Sequence, residues 1–69
     1  MIELRISHWE FEEFNEQLAA QTRAMCREYG TTWGMDHEFM FYWIKLTPSQ
    51  YLMANLKYTD VLLQLRRAS

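Results

Sequence analysis

The chain has 69 residues, of which 49% are hydrophobic and 16% aromatic, with two glycines and one proline. This length predicts a single domain over residues 1–69, and the composition is typical of a folded chain rather than a disordered one. The formal net charge of −2 argues against nucleic acid as a partner, because nucleic-acid binders need clustered Lys and Arg to displace counterions from phosphates.

The cysteine content and the apolar runs indicate a compartment. Cys26 is the one cysteine of the chain, so it forms no internal disulfide, which is typical of a reducing environment. The first residues lack the basic region and long apolar stretch of a signal peptide. The longest apolar run, residues 39–44, is far shorter than the roughly 20 residues of a membrane-spanning helix. We therefore expect a cytoplasmic protein without membrane contact.

The N-terminal part predicts a short extended segment followed by a helix. Residues 2–6 alternate between apolar and polar side chains, which indicates a strand or an extended arm. Ser7 and Glu10 have the spacing of a capping box, in which each side chain bonds the backbone amide of the other residue. Apolar residues then recur at helical spacing until Gly30, a residue that suits the left-handed end of a helix. The first helix is predicted over residues 8–29.

The middle of the chain has two interpretations. Asp36 can cap a short helix over residues 37–46, and we favour that helix because Glu38 and Lys45 suit its ends. The same stretch has high β-propensity and is apolar on both sides, as a central strand would be. A strand over residues 39–45 therefore stays open as the alternative.

A third helix is predicted from a clear start signal. Thr47 suits the N-cap, Pro48 the first helical position and Gln50 the position three residues after the cap. The helix is predicted over residues 48–67 and carries two neighbouring apolar stripes, one of them with coiled-coil spacing.

The sequence thus predicts an all-α fold with three helices, over residues 8–29, 37–46 and 48–67, after a short extended or β N-terminus. We expect it to form an intertwined or side-by-side homodimer. The alternative is an α+β fold in which residues 2–6 and 39–45 are strands.

No catalytic or ligand motif is found. A cysteine nucleophile needs a base within reach, and the first helix would place His8 about five turns from Cys26. Asp36, His37 and Glu38 are adjacent rather than spaced as metal ligands are, and no second ligand pair follows. The sequence therefore predicts no enzyme, no cofactor and no metal site.

A helix pair joined at residues 46–48 also fits a helix-turn-helix DNA-binding regulator, with the third helix as the recognition helix. That helix lacks a basic stripe, so a hairpin that packs its own faces together is the better interpretation.

Residues 38–46 carry four aromatic and three large aliphatic side chains. A domain this small buries only about 60% of the surface of its unfolded chain, so part of this run is expected at an interface, first with a second copy of the chain. The predicted protein-binding residues are the anchors Trp33, Met40, Phe41, Tyr42 and Tyr58 and the polar contacts Arg23 and Arg27.

The stretch from Phe41 to Leu52 reads F-Y-W-I-K-L-T-P-S-Q-Y-L. It resembles the F-W-x-L-T-P-x-E helix junction of short tail-assembly chaperones from tailed phages, with Gln50 where that pattern often has an acid. The similarity covers 12 of 69 residues. It implies a small helical protein of phage origin that binds a tape-measure protein or another tail part.

These observations predict a non-catalytic protein that binds another protein stoichiometrically, as a phage-type inhibitor or adaptor of a host protein. A phage tail-assembly chaperone, which binds a phage structural protein, and a DNA-binding regulator are the alternatives. Exposed aromatic side chains would anchor in a groove of the target, with charged flanks setting the orientation.

Overall fold

The computed structural model describes residues 1–12 and 16–68, and it shows an α+β fold. The all-α prediction is therefore wrong, and the α+β alternative has the correct class. Along the chain the elements are β1 Ile2–Ser7, α1 His8–Glu12, α2 Glu16–Tyr29, β2 Trp33–Asp36, β3 Phe41–Leu46, α3 Pro48–Lys57, α4 Thr59–Gln64 and β4 Arg66–Arg67.

The strands form one antiparallel sheet in the order β2-β3-β1-β4. With each pair of helices counted as one unit, the elements follow the β-α-β-β-α-β sequence of the split β-α-β, or ferredoxin-like, motif. The long central pairing aligns Leu4 of β1 with Ile44 of β3. On the two outer sides, Ile44 pairs with Trp33 and Leu4 pairs with Arg67.

The core lies between the helices and one face of the sheet. Side chains alternate between the two faces of a strand, and in β1 the apolar set Ile2, Leu4 and Ile6 is buried. Met25 and Val61 are fully buried and pack against this set from the helices. We call this side of the sheet the helical side. Residues 2–6, predicted as a strand or an extended arm, lie within strand β1.

The helix predicted over residues 37–46 is wrong, because this segment is a turn followed by strand β3. The Asp36 carboxylate accepts hydrogen bonds from the backbone N–H groups of Glu38 and Phe39, both at 2.9 Å, and so closes a hairpin turn instead of capping a helix. Met40 completes the turn with a positive φ of 56°. A β-rich segment that is apolar on both sides is more stable as a strand with a partner on each edge.

The helix pair predicted for the helix-turn-helix alternative is wrong for the same reason, since the segment of its first helix contains strand β3. The segment 41–52, which resembles a helix junction of tail chaperones, is here a strand, a cap and the first half of α3.

The single helix predicted over residues 48–67 is also wrong. Helix α3 ends at Tyr58, whose φ of −121° and ψ of 44° are not helical, and α4 begins at the next residue. The Thr59 hydroxyl donates to the Asn55 carbonyl at 2.7 Å across this break. Arg66–Arg67 leave the helix to pair with the edge of β1. The stripe with coiled-coil spacing therefore does not run along one continuous helix.

Three of the predicted start and stop signals are confirmed, whereas the helix start at Asp36 is not. Ser7 and Glu10 form the predicted capping box at the start of α1, with the Glu10 amide donating to Ser7 Oγ at 3.1 Å. Thr47 and Gln50 form the second box at α3. Gly30 has a φ of 63° and terminates α2, after which the Thr31 amide donates to the Cys26 carbonyl at 3.0 Å.

Helices α1 and α2 lie within the helix predicted over residues 8–29. Residues 13–15 of that prediction are outside the described residues.

Candidate functional site

The side of the sheet opposite the helices is the candidate site, and we call it the open face. Its side chains alternate in sequence with the buried ones of each strand, and no described helix lies over them. It consists of Glu3, Arg5 and Ser7 of β1, Gly34 and Asp36 of β2, Phe41, Trp43 and Lys45 of β3, and Arg66 of β4.

Two aromatic side chains lie at the centre of the open face. Phe41 and Trp43 occupy alternate positions of the inner strand β3 and are both half-buried. The neighbouring strand places Gly34 directly opposite Trp43. A Cβ atom at Gly34 would overlap the indole of Trp43, so the absence of a side chain there lets the ring lie on strand β2.

Cationic side chains lie over both rings. The guanidinium carbon of Arg5 is 4.4 Å from the centroid of the Phe41 ring, and Lys45 Nζ is 5.2 Å from a ring centroid of Trp43. At exposed positions such cation–π contacts contribute about 0.5–1 kcal/mol each. They hold the rings and the cations in one arrangement on the surface.

Carboxylates balance part of this positive charge. Glu3 forms an ion pair with Arg5 within β1. Glu10, at the start of α1, forms an ion pair with Arg66, with 3.4 Å between Glu10 Oε1 and Arg66 Nη2. The open face itself carries three cations and two carboxylates, Glu3 and Asp36, and is more positive than the chain as a whole, whose net charge is −2.

The structure separates the residues that the sequence predicted as one binding set. Phe41 lies on the open face. Trp33, Tyr42 and Arg23 line a cleft on the helical side, and Met40 lies in the hairpin turn, where its carbonyl accepts from the His8 amide at 2.8 Å.

Tyr58 and Arg27 are placed away from both groups. The Tyr58 hydroxyl donates to the Glu28 carboxylate at 2.8 Å, at the junction of α2 and α3. Arg27 is exposed on α2.

The cleft on the helical side is an aromatic packing site. The Tyr42 ring lies 4.5 Å from the Phe11 centroid and 5.5 Å from the Trp33 centroid. The cleft measures about 120 Å³, whereas pockets for small ligands measure about 300–1,000 Å³. Its size suits a gap between core side chains, and we assign it no ligand.

Sequence reasoning missed Trp43, Arg5 and Lys45, which are central to the open face. The signal was present in the alternation of residues 41–45. Read with the period of two that a strand has, Phe41, Trp43 and Lys45 share one face. A helical period of 3.6 keeps Phe41 and Lys45 on one side but places Trp43 on the opposite side.

The described residues hold no group of three or more His, Cys, Asp or Glu side chains arranged for a metal ion. Cys26 is buried in the core, and this burial raises the pKa of its thiol. A buried thiol with a raised pKa is a poor nucleophile, which agrees with a structural role.

The comparisons with known proteins identify no relative: the chain matches no family model, no curated protein and no solved structure. Among the described residues, no helix has both the length and the apolar character needed to cross a membrane.

Proposed function

We propose that this chain is a small non-catalytic protein that binds a partner protein stoichiometrically, as an inhibitor or adaptor, through the open face. The observation that carries the proposal is the pair Phe41 and Trp43, side by side on an inner strand and covered by no described helix. The phage-type origin rests on the resemblance of residues 41–52, and the host protein as partner rests on the small, aromatic-rich chain without a catalytic motif.

The composition of the open face fits a protein interface. Trp and Arg are among the residue types that carry most of the binding energy at such interfaces. Trp43 is already held in place by Gly34 and Lys45, so little conformational entropy is lost when a partner covers it. A rigid aromatic centre with a charged rim is the usual anatomy of a binding patch.

The charges define the chemistry of the partner surface. Lys45 and Arg66 are exposed cations at two sides of the aromatic centre. A partner with apolar groups beside a carboxylate would cover the rings and pair with Lys45, which favours correct orientation and fast association.

Nucleic acid suits this face less well than protein. Aromatic rings beside cations can stack bases, but Arg5 and Arg66 are already paired with Glu3 and Glu10. Phosphates would have to displace these carboxylates, and Asp36 adds a further negative charge. This is why we propose a protein partner.

The test is capture of a partner from nuclease-treated bacterial lysate on the tagged chain, followed by mass spectrometry and measurement of the affinity. We expect one protein near equimolar ratio. Trp43→Ala should weaken its binding by about tenfold or more, as expected for a hot-spot residue. Lys45→Gln should weaken it less and reduce the salt dependence of association.

Matched variants control for general effects. Trp9→Ala removes another indole, 70% exposed on α1, and Arg27→Gln removes an exposed cation from α2; both should bind normally. Circular dichroism must show that every variant is folded. Binding that is unchanged in Trp43→Ala, or that disappears after nuclease treatment, contradicts the proposal. A phage structural protein recovered from infected cells instead of a host protein supports the tail-chaperone alternative.

A further inference from the structure

The outer side of strand β2 is an edge of the sheet, and we call it the β2 edge. In the strand order β2-β3-β1-β4, no described strand lies beyond β2. The strand reads W-G-M-D and contains neither lysine nor proline, residues with which natural edge strands prevent pairing with another chain. The opposite edge differs, because β4 consists of the two arginines Arg66–Arg67.

The backbone groups that point outward at the β2 edge are those of Trp33 and Met35. The His8 amide donates to the Met40 carbonyl, so the even-numbered residues of β3 direct their backbone groups to β1. Hydrogen-bonded and non-hydrogen-bonded positions alternate in antiparallel pairs, so the odd-numbered residues of β3 bond the even-numbered residues of β2. The N–H and C=O groups of Trp33 and Met35 therefore point outward, and no hydrogen bond joins them to another described residue.

These groups determine what kind of structure can cover the edge. N–H and C=O groups that recur at every second residue of a strand are paired by another extended backbone. A helix cannot pair them, because its own backbone groups are already bonded within the helix. The occupant of the β2 edge is therefore a strand, and a second copy of the chain presents such a strand at its own β2 edge.

We infer that the β2 edge pairs with the β2 edge of a second copy, antiparallel and about a two-fold axis at Gly34. This axis is perpendicular to the sheet, so it keeps the open faces of both copies on one side. Trp33 then lies opposite Met35 of the second copy, and Met35 lies opposite Trp33. Each of these pairs exchanges its N–H and C=O groups, so the outward groups of both strands are all bonded.

The neighbouring symmetric registers pair fewer of these groups. A shift of the axis to Trp33 places Met35 opposite Thr31, whose amide already donates to the Cys26 carbonyl. A shift to Met35 places Trp33 opposite residue 37, which belongs to the hairpin turn and not to the strand. The axis at Gly34 is the register that uses strand residues alone.

The side chains of the open face select a second copy over other strands. Gly34 is a non-hydrogen-bonded position toward the edge, where two strands approach most closely, with Cα atoms about 4.5 Å apart. The Trp43 indole occupies the space of a Cβ atom at Gly34, so a side chain on the opposite strand would be brought against the ring. In a second copy the opposite residue is again Gly34, and the two indoles lie on either side of the axis.

The helical side and the charges agree with the same register. Trp33 is 49% exposed and gains a methionine neighbour, and contacts between sulfur and aromatic rings are favourable. Asp36 lies opposite residue 32 of the second copy, so the two Asp36 carboxylates diverge on opposite sides of the axis. No like charges meet directly across the strand pair, as they would in a poorly matched sheet.

The pairing joins two four-stranded sheets into one continuous sheet. Both open faces lie on the same side, and the second copy places its own Trp43 beside the axis, next to that of the first. This is the homodimer expected from the sequence, in its side-by-side form. The inference does not depend on the partner protein proposed above, because it concerns the chain alone.

Sedimentation equilibrium tests the association. Pairing of short strands buries less than the roughly 800 Å² per partner of a typical stable interface, so we expect the mass to rise from 8.4 kDa toward twice that value at high concentration. Met35→Pro removes an outward N–H and leaves the bonds to β3 in place, as proline at sheet edges does. It should raise the dissociation constant about tenfold or more, because each copy loses one hydrogen bond across the interface.

Disulfide cross-linking tests the register in a Cys26→Ala background. Opposite residues of a hydrogen-bonded pair have Cα atoms about 5.5 Å apart, within the range that a disulfide spans. A mixture of Trp33→Cys and Met35→Cys chains should therefore give a mixed disulfide dimer in high yield. Met35→Cys alone should not, since its two cysteines would be diagonal neighbours about 7–8 Å apart.

Met53→Cys is the matched control, since Met53 is a methionine of α3 that is 52% exposed; mixed with Trp33→Cys it should give only the low yield of random collisions. Circular dichroism must show that every variant is folded. A wild-type chain that stays at the monomer mass at all concentrations overturns the inference, as does a folded Met35→Pro chain that dimerises normally. Equal cross-linking of the Met53→Cys mixture overturns it too. A monomeric chain that loses a captured protein through Met35→Pro would assign the β2 edge to a strand of that protein instead.

Discussion

At the scale of single residues, Gly34 and Trp43 show how a missing side chain shapes the candidate site. Gly34 is in strand β2. Glycine is otherwise unfavourable in a strand, because it raises the backbone entropy of the unfolded chain and has no side chain to pack. Here it provides the surface on which the Trp43 indole lies. The orientation of the central ring of the open face therefore depends on a residue that has no chemistry of its own.

We predict that Gly34→Ala destabilises the fold by about 1–3 kcal/mol, the usual cost of overpacking, because the new methyl group displaces the Trp43 ring. Urea denaturation measures this change. In a Trp43→Ala background the same substitution should be neutral or slightly stabilising, since alanine lowers the entropy of the unfolded chain. An equal loss of stability in both backgrounds would mean that the ring is not the cause.

Met40 has a backbone conformation that is unfavourable for a residue with a side chain. Its φ of 56° lies in the left-handed region that favours glycine. The surrounding contacts retain it there, since its carbonyl accepts from the His8 amide and so connects the hairpin turn to the start of α1.

At the scale of elements, the contact between α2 and α3 joins the two halves of the fold. Lys57 Nζ and the Tyr58 hydroxyl both donate to one oxygen of Glu28, at 2.6 and 2.8 Å. These two hydrogen bonds lower the pKa of the Glu28 carboxyl, and the pKa values of the Lys57 ammonium and the Tyr58 hydroxyl are raised by the same partner.

This cluster predicts a dependence of stability on pH. Because the pKa of Glu28 is lower in the folded state, its contribution is present above the usual pKa of 4.5 and is lost as the pH falls through the folded value. When the pH is lowered below 4.5, the melting temperature of Glu28→Gln should therefore fall less than that of the wild type. The effect is small, since exposed ion pairs contribute little. Glu38→Gln, an exposed acid in the hairpin turn, serves as the control and should follow the wild type.

At the scale of the whole molecule, one layer of helices covers one face of the sheet and leaves the other face outside the core. The open face has aromatic rings in contact with cations and a rim of mixed charge. This composition is the one that suits a selected partner.

The core supplies a probe for the stability of the whole fold. Cys26 is the one thiol of the chain, it is 5% exposed, and burial raises its pKa. We predict that thiol reagents label it slowly under native conditions and at the rate of a free thiol in denaturant, because labelling requires opening of the core. A Ser49→Cys, Cys26→Ala variant has an exposed thiol and should react at once. Rapid labelling of the native wild type would contradict the buried position.

The candidate site was only partly predictable. Phe41 was found because it belongs to a dense aromatic run, and that property needs no knowledge of structure. Trp43, Arg5 and Lys45 were missed because their grouping depends on whether residues 41–45 are a strand or a helix. Arg5 joins the site only through pairing of β1 with β3, across about 40 positions of the chain.

The sequence by itself determined the features that depend on neighbours within a few residues: the capping boxes at Ser7 and Thr47, the helix end at Gly30 and the extended, alternating conformation of residues 2–6. Their energies come from hydrogen bonds and side-chain alternation that a short segment contains. Only the tertiary structure decided that residues 41–46 are a strand and that residues 66–67 pair with β1. A strand gains its hydrogen bonds from partners distant in sequence, so its stability and its exposed face are set by the assembled sheet.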